Sequence, residues 1–218
     1  MRESSLFLKP EKCKFEKRHV EYLGILLEDG MVQSDPSKVT GLRDWPTTLK
    51  SVKEVWSTLG VLGYQCTFIP GFSHIARPLT ELLWKDKIFK WTNQCTEALK
   101  ELIQLVTTQP ILVHPDPNKT FELEVDASNY TTSAILFQRD ERGKPRPIGY
   151  NSKTFNGTKW CYDIYDKELT VMDQGLTNWQ HLLLGNNIIV HSDHANLTYY
   201  WHPHKLSDHA KHTLNRII

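Results

Sequence analysis

The stretch Phe121-Glu-Leu-Glu-Val-Asp126 alternates strictly between apolar and acidic residues. This alternation predicts a β-strand with one buried face, because successive side chains of a strand point to opposite sides of the sheet. We expect Phe121, Leu123 and Val125 to face a hydrophobic core and the acids between them to face away from it.

The residues after this strand continue the pattern of a sheet domain. We expect, in chain order, a strand over 134–138, a turn over 140–143, a short strand over 147–150, a helix over 163–179 and a strand over 188–192. Three strands in succession, then a helix and a fourth strand, predict an α+β or mixed α/β fold.

Residues 1–45 have the pattern of strands joined by a tight turn. The apolar run 22–27 predicts one strand, and a second begins at Met31. Between them lies the sequence Glu28-Asp29-Gly30, in which the glycine supplies the positive φ that a hairpin turn requires.

Residues 46–112 have a helical pattern. Ser51 and Glu54 have the spacing of a capping box, in which the hydroxyl and the carboxylate satisfy reciprocal backbone amides. The apolar stripe expected behind this cap consists of Val52, Val55, Trp56, Leu59 and Leu62. A second helix is predicted over 93–107, and its apolar stripe consists of Ala98, Leu99, Leu102, Ile103 and Val106.

Composition and charge exclude several classes of protein. Hydrophobic residues make up 39% of the 218 residues, which is enough for a packed core and argues against disorder. The formal net charge of +1 gives no chain-wide basic excess that would favour nucleic acid, although a local basic groove stays compatible with it. The four cysteines are too dispersed for a metal knuckle or a disulfide framework. No apolar run approaches the roughly 20 residues that span a bilayer, so we expect an intracellular protein without a membrane partner.

Three acidic residues lie where predicted elements end or change character, and each has an ordinary structural interpretation beside a functional one. Asp126 ends its strand, as solvated turn aspartates do. Glu168 borders the apolar stripe of the predicted helix, where it is partly desolvated unless it is only a flanking charge. Asp193 follows the last strand, a place that also suits a helix N-cap. The stripe beside Glu168 consists of Tyr165, Leu169, Met172, Leu176 and Trp179.

Together the three acids predict a cation site if they converge on one end of the sheet, because carboxylates in contact repel one another. Mg²⁺ suits such a site, since it is a hard ion that accepts a few carboxylates and keeps several waters. Two such ions about 4 Å apart can activate a water and stabilise the leaving oxygen of a phosphodiester. This is the chemistry of a nuclease.

Ordered motifs extend through nearly the whole chain. Those of the first half are residues 7–15, 20–24, 35–39, 45–46, 52–55, 59–60, 68–73, 76–79, 91 and 98–101. Those of the second half are Val125-Asp-Ala-Ser128, Tyr165-Asp-Lys-Glu-Leu169, Trp179-Gln-His-Leu182 and Ser192-Asp-His-Ala-Asn-Leu197. In this order and spacing they resemble the Pol polyprotein of gypsy-type LTR retrotransposons, over its reverse transcriptase and ribonuclease H parts.

The resemblance implies three parts. Residues 1–45 correspond to the C-terminal end of a reverse transcriptase palm, 46–112 to a helical thumb and connection, and 113–218 to a C-terminally truncated ribonuclease H-like domain, a mixed sheet with flanking helices. The implied activity is Mg²⁺-dependent hydrolysis of the RNA strand of an RNA–DNA hybrid during RNA-directed DNA synthesis. Discrimination between the strands is expected to come from the 2′-hydroxyl and the minor groove.

The resemblance also implies site residues and partners. The catalytic and metal-binding acids are Asp126, Glu168 and Asp193, with two Mg²⁺ ions expected and Mn²⁺ as a substitute. The residues expected to contact nucleic acid are Ser128, His194 and Asn196. The implied partners are an RNA–DNA hybrid and the rest of a Pol polyprotein, namely palm, fingers and integrase. The implied location is cytoplasmic, in a retroelement particle, with a nuclear phase.

Two departures from the family pattern leave alternatives open. The Tyr-x-Asp-Asp turn of the polymerase does not occur in the sequence, so we expect no DNA synthesis by this chain. The family has a fourth acid well beyond the third, and Asp208 is too close and in a different context to supply it. The alternatives are a non-catalytic remnant that still binds nucleic acid and a decayed retroelement copy without activity.

Overall fold

The computed structural model describes residues 15–85, 87–108, 110–128, 130–155 and 164–192, together with residues 9, 11 and 13. Within these residues the chain forms two four-stranded sheets, which we call the N-terminal and C-terminal sheets, and a helical segment that in sequence lies before the last strand of the N-terminal sheet. None of the helices described there combines the length and the apolar character needed to cross a membrane. The domain boundaries at 45 and 112 stay predictions.

The N-terminal sheet is antiparallel and has the strand order β1-β2-β3-β4. Its strands are β1 (His19–Tyr22), β2 (Ile25–Glu28), β3 (Met31–Ser34) and β4 (Leu112–Val113). The predicted turn is confirmed, with positive φ at Asp29 (45°) and Gly30 (77°). The prediction of one strand over 22–27 is wrong, because Leu23 (φ 50°) and Gly24 (φ 73°) form a second two-residue turn between β1 and β2. A glycine inside an apolar run permits this turn even though no Asn or Asp precedes it.

The helical segment consists of two long helices, α2 and α5, and several short elements. In chain order it contains α1 (Pro36–Thr40), α2 (Val52–Gly63), a 3₁₀ turn (Cys66–Phe68), α3 (Phe72–Ile75), α4 (Arg77–Thr80), a second 3₁₀ turn (Glu81–Leu83) and α5 (Asn93–Thr107). The predicted bounds of α5 are confirmed, and the Thr92 side chain caps its start by accepting from the Cys95 amide. Of its predicted stripe, all but the half-buried Ile103 are fully buried.

Helix α2 begins at the predicted cap but buries a different face from the one expected. The Ser51 hydroxyl accepts from the Glu54 amide at 3.2 Å, while the Glu54 carboxylate accepts from the amide of Lys50 at 2.8 Å and not from that of Ser51. Val52 and Trp56 are exposed, contrary to the prediction. The buried face consists of Val55, Thr58 and Leu62. Thr58 takes its place there because its hydroxyl accepts from the Trp45 indole at 3.1 Å, which satisfies a buried polar group.

The C-terminal sheet is mixed and has the strand order β7-β6-β5-β8. Its elements are β5 (Phe121–Ala127), β6 (Thr131–Arg139), β7 (Pro145–Thr154), α6 (Ile164–Asn178), α7 (Gln180–Leu183) and β8 (Ile188–Ser192). β5, β6 and β7 pair antiparallel, and β8 pairs parallel to β5. The predicted spans 134–138 and 147–150 are too short, because backbone pairing continues through polar residues that carry no apolar signal.

Helix α6 packs on the face of the sheet that carries Phe121, Leu123 and Val125, all of which are buried as predicted. Gly175 makes the close approach: a Cβ on it would lie 3.2 Å from Leu123 Cδ2. Leu169 and Trp179 of the predicted stripe are buried, while Met172 and Leu176 are half-buried. The side chain of Tyr165 lies outside the described residues.

Candidate functional site

Asp126 lies close to the C-terminal end of β5. It pairs with Ser133 of β6, and one further pair, Ala127 with Thr132, follows before the ladder ends. The strand therefore ends one residue later than predicted. The Asp126 side chain is exposed. An exposed carboxylate at a strand end is available to a ligand approaching from solvent.

Glu168 lies in the first part of α6 and is only 2% exposed. The residues around it, 167–171, are all buried, so this turn of the helix is enclosed on every side. The predicted desolvation of Glu168 is therefore confirmed. Enclosure restricts the side chain to few rotamers, and a buried carboxylate needs hydrogen bonds or a cation to stay charged.

The topology brings Asp126 and Glu168 to the same end of the sheet. β7 and β8 run in the same direction as β5, and α6 connects them, so α6 must run back against that direction. From the contact of Gly175 with Leu123, the helix extends back to Glu168 over about 10 Å. From the same contact, β5 extends forward to Asp126 over about 10 Å. Both paths lead toward the end where β5 ends.

The two acids approach that end from different sides of the sheet. Val125 is buried against the α6 face, so strand alternation places the Asp126 side chain on the opposite face, which we call the outer face. Glu168 belongs to the helix on the inner face. A ligand that touches both carboxylates must therefore sit at the end of the strand and not over the middle of either face.

The third predicted acid lies outside the described residues, as do His194 and Asn196. What is described is the strand that leads to it. β8 runs parallel to β5 with Val125 paired to Ser192, the last described residue. The residues that directly precede Asp126 and Asp193 are thus neighbours in adjacent strands.

Ser128, which we expected to contact nucleic acid, has a structural role in the turn between β5 and β6. Its hydroxyl oxygen accepts from the Thr131 amide at 3.0 Å and the Tyr130 amide at 3.3 Å. It also lies 2.9 Å from the Thr131 hydroxyl and 3.0 Å from the Thr131 carbonyl. These contacts use the hydroxyl within the turn and fix the backbone that follows Asp126, while its predicted contact with nucleic acid stays a prediction.

An ion cluster on the outer face was missed by the sequence reasoning. Glu122, expected to face solvent, is 7% exposed. Its carboxylate accepts from Arg139 Nε at 2.6 Å and Nη2 at 3.0 Å, and lies 2.7 Å from His191 Nε2. The Arg139 guanidinium, and after it His191, hold the pKa of the Glu122 carboxyl below its usual value of 4.5. The cluster ties β5 to both of its neighbours.

The donor atoms at the strand end suit a hard cation in kind. Asp126 and Glu168 both offer carboxylate oxygens, the ligands that Mg²⁺ prefers. Among the described residues no group of three or more His, Cys, Asp or Glu side chains is arranged to hold a metal ion. Two of the predicted acids thus lie toward one end of the sheet, and the third, Asp193, lies outside the described residues.

Comparison with known proteins shows which family and relatives the chain resembles. Residues 91–190 match the family described as the RNase H-like domain found in reverse transcriptase. The chain is 34% identical over 196 residues to the retrovirus-related Pol polyprotein from transposon 297 of Drosophila melanogaster, covering 89% of this chain and 18% of that polyprotein. It is 30% identical over 199 residues to the transposon Tf2-3 polyprotein of Schizosaccharomyces pombe, covering 90% of this chain and 15% of that one. The chain thus spans less than a fifth of the length of these curated relatives.

Solved structures with the same fold include two of a foamy viral protease-reverse transcriptase. The chain superposes with a TM-score of 0.75 on a foamy viral protease-reverse transcriptase in complex with ds DNA, at 23% identity, covering 92% of this chain and 36% of that one. It superposes with a TM-score of 0.74 on the protease-reverse transcriptase in complex with RNA/DNA hybrid, at 22% identity, covering 95% of this chain and 29% of that one. These similarities confirm the predicted fold class.

Proposed function

Because this chain carries, over residues 91–190, the RNase H-like domain found in reverse transcriptases and is related to transposon Pol polyproteins, we propose that it hydrolyses the RNA strand of RNA–DNA hybrids with Mg²⁺. The proposal includes a gypsy-type origin and an RNA–DNA hybrid as substrate. The foamy viral reverse transcriptase of the same fold is described in complex with RNA/DNA hybrid, which supports this substrate class.

The observation that supports the proposal is that Asp126 and Glu168 both lie toward the end of the C-terminal sheet where β5 ends. Asp126 comes from the C-terminal end of β5 and Glu168 from the N-terminal part of α6, two elements packed against each other. If Asp126 were only a solvated turn residue, no buried glutamate would be expected near the same end of the sheet. If Glu168 were only a flanking charge, its side chain would be exposed, whereas it is 2% exposed. Asp193 is the proposed third acid, since it directly follows Ser192, the neighbour of Val125.

The two described acids have different tasks in this proposal. Glu168 is enclosed, so its carboxylate is held in place and loses little further freedom when a ligand binds. Asp126 is exposed, so it can reach a phosphodiester that approaches from solvent. Mg²⁺ bound by these carboxylates and Asp193, with Mn²⁺ as a substitute, would supply activation of a water and stabilisation of the leaving oxygen.

Hybrid cleavage by the full chain tests the proposal. The chain is incubated with an end-labelled RNA–DNA hybrid in Mg²⁺, and separately in Ca²⁺ or EDTA, with Asp126→Asn as the site variant. We expect RNA cleavage by the wild type in Mg²⁺ and none by the variant. Duplex DNA and single-stranded RNA serve as substrates that should stay intact.

The matched control is Glu124→Gln, on the same strand and the same face as Asp126 and also exposed. We expect it to cleave like the wild type. Equal cleavage by the wild type and Asp126→Asn would remove Asp126 from the site. Binding of the hybrid without any cleavage by the wild type would favour the non-catalytic remnant over the nuclease.

A further inference from the structure

The helical segment docks on the C-terminal sheet at the end where Asp126 lies. The Ser73 amide donates to the Ser152 hydroxyl at 2.8 Å, and the Ser73 hydroxyl donates to the Ser152 carbonyl at 2.9 Å. Ser152 pairs with Ser133, and Ser133 pairs with Asp126, so these three residues form one row across the outer face. Ser152 is thus two strand spacings, about 10 Å, from Asp126.

A second contact lies one helical turn further along the segment. The guanidinium carbon of Arg77 lies 3.6 Å from the centroid of the Tyr130 ring. The same side chain donates through Nε to Glu81 at 3.0 Å, and Glu81 also accepts from Lys87 at 2.8 Å. The edge of the Arg77 guanidinium is therefore bonded to Glu81 in the helical segment, while its planar face stacks on the Tyr130 ring beside the C-terminal sheet. A planar guanidinium can make both contacts at once.

Tyr130 transmits this contact to the candidate site through its backbone. Its amide donates to the Ser128 hydroxyl, in the turn that directly follows β5. Its carbonyl accepts from the Phe155 amide at 2.9 Å, where the chain has just left β7 on its way to α6. One residue thus ties the turn after Asp126 to the strand exit that precedes the helix carrying Glu168.

We propose that Ser73 and Arg77 are positioning residues of the helical segment, which hold Ser128 and Tyr130 after β5 and thereby the strand end that carries Asp126. The effect on catalysis rests on the proposed function, whereas the contact between the helical segment and the residues after β5 does not depend on it. A purely structural role would stabilise the whole chain equally, whereas positioning predicts a local effect at this turn.

Amide hydrogen exchange separates the two roles without any need for activity. The reporters are the Thr131 and Phe155 amides, which are bonded to the Ser128 hydroxyl and the Tyr130 carbonyl. We expect Arg77→Met to raise their exchange rates about tenfold, the size of one partly desolvated cation–π contact. Arg77→Lys keeps the charge but not the planar stack, so it should restore only part of the protection. The control reporter is the Gly143 amide, in the turn between β6 and β7 at the other end of the sheet, which should not change.

Variants of the ring provide an independent check. Tyr130→Leu removes the π face and should repeat the effect of Arg77→Met, while Tyr130→Phe keeps the face and should exchange like the wild type. Equal acceleration at Gly143, Thr131 and Phe155 would mean a global loss of stability and would overturn the positioning role. Unchanged exchange at Thr131 and Phe155 in both Arg77→Met and Tyr130→Leu would overturn it as well.

Cleavage kinetics connect the coupling to the reaction. We expect Arg77→Met to lower kcat for the hybrid with little change in KM, because the strand end is displaced while the rest of the surface is kept. A rise in KM alone would make Arg77 a binding residue and overturn the positioning role. If the wild type cleaves nothing while the exchange pattern holds, the proposed function fails and the positioning role stands.

Discussion

Replacing Glu122 tests whether the ion cluster on the outer face holds β5 to its neighbours. The Glu122 side chain is 9% exposed and accepts three hydrogen bonds, two from Arg139 and one from His191. The Arg139 partner atoms lie on a side chain that is 50% exposed. Glu122→Gln keeps the shape of the side chain and removes its charge, and Glu122→Ala removes both.

The size of the effect follows from this geometry. Hydrogen bonds to a charged group contribute about 1.5–3 kcal/mol each when desolvated, and the exposure of Arg139 reduces that figure through solvent screening. We therefore expect a loss of about 1–2 kcal/mol for Glu122→Gln and about 2–3 kcal/mol for Glu122→Ala. In a chain of this length the larger loss lowers Tm by about 5–10 °C.

The pH dependence gives the sharper test. The pKa of Glu122 is lowered in the folded chain, so its carboxylate is favoured in the native state. A carboxyl group whose pKa is lowered on folding stabilises the native state at pH values above its unfolded pKa of 4.5. This stabilisation is lost as the pH falls through the pKa of the folded state. The difference in stability between wild type and Glu122→Gln should thus be present at neutral pH and shrink as the pH falls below the unfolded pKa of Glu122.

Urea unfolding at a series of pH values measures that difference, with Glu124→Gln as the control. Glu124 lies on the same face of β5 but is exposed, and surface substitutions of this kind change stability by less than about 0.5 kcal/mol. A Glu122→Gln difference that persists undiminished in strong acid, or one absent at neutral pH, would refute the assignment of a stabilising carboxylate in this cluster.

Three further outcomes follow from single contacts. Glu168→Gln keeps the shape of the buried side chain and removes its charge. We expect hybrid cleavage to fall by at least about a hundredfold, the upper end of the loss caused by removing a residue that orients a metal ligand, with an unchanged circular dichroism spectrum. Undiminished cleavage would exclude Glu168 from the site. Gly175→Val pushes side-chain atoms toward Leu123, whose Cδ2 would already lie 3.2 Å from a Cβ, so urea unfolding should show a loss of about 1–3 kcal/mol. Ser51→Ala removes the hydroxyl that accepts from the Glu54 amide and should cost about 1 kcal/mol in the same assay, whereas Ser51→Asp should keep the cap.

Features set by neighbouring residues in the chain were predictable from sequence. Helix α5 begins and ends where predicted, because a capping threonine and a glutamine–proline pair act on the backbone locally. β5 was predictable from its alternation, and the hairpin turn from Asp29-Gly30. The positions of Asp126 at a strand end and of Glu168 beside an apolar stripe were also predictable, because both follow from the periodicity of the sequence and not from contacts with distant residues.

Features set by distant residues were not predictable in the same way. Periodicity shows that α2 has an apolar side, but only packing decides that Thr58 is buried and Trp56 exposed. Glu122 alternates with apolar residues as a solvent-facing acid would, and its burial depends on Arg139 and on His191, which is 69 residues away. A local pattern holds no information about which remote side chain will satisfy a charge.

The exposure of the two described acids bears on how the proposed reaction would be organised. Glu168 is buried together with the helix residues around it, whereas Asp126 is exposed and is followed closely by the turn that contains Ser128. That turn is held from within by Ser128 and from outside by Arg77 of the helical segment. These contacts therefore support the more exposed of the two acids, as preorganisation of a site requires. It follows that loss of the Arg77 contact should affect Asp126 more than Glu168.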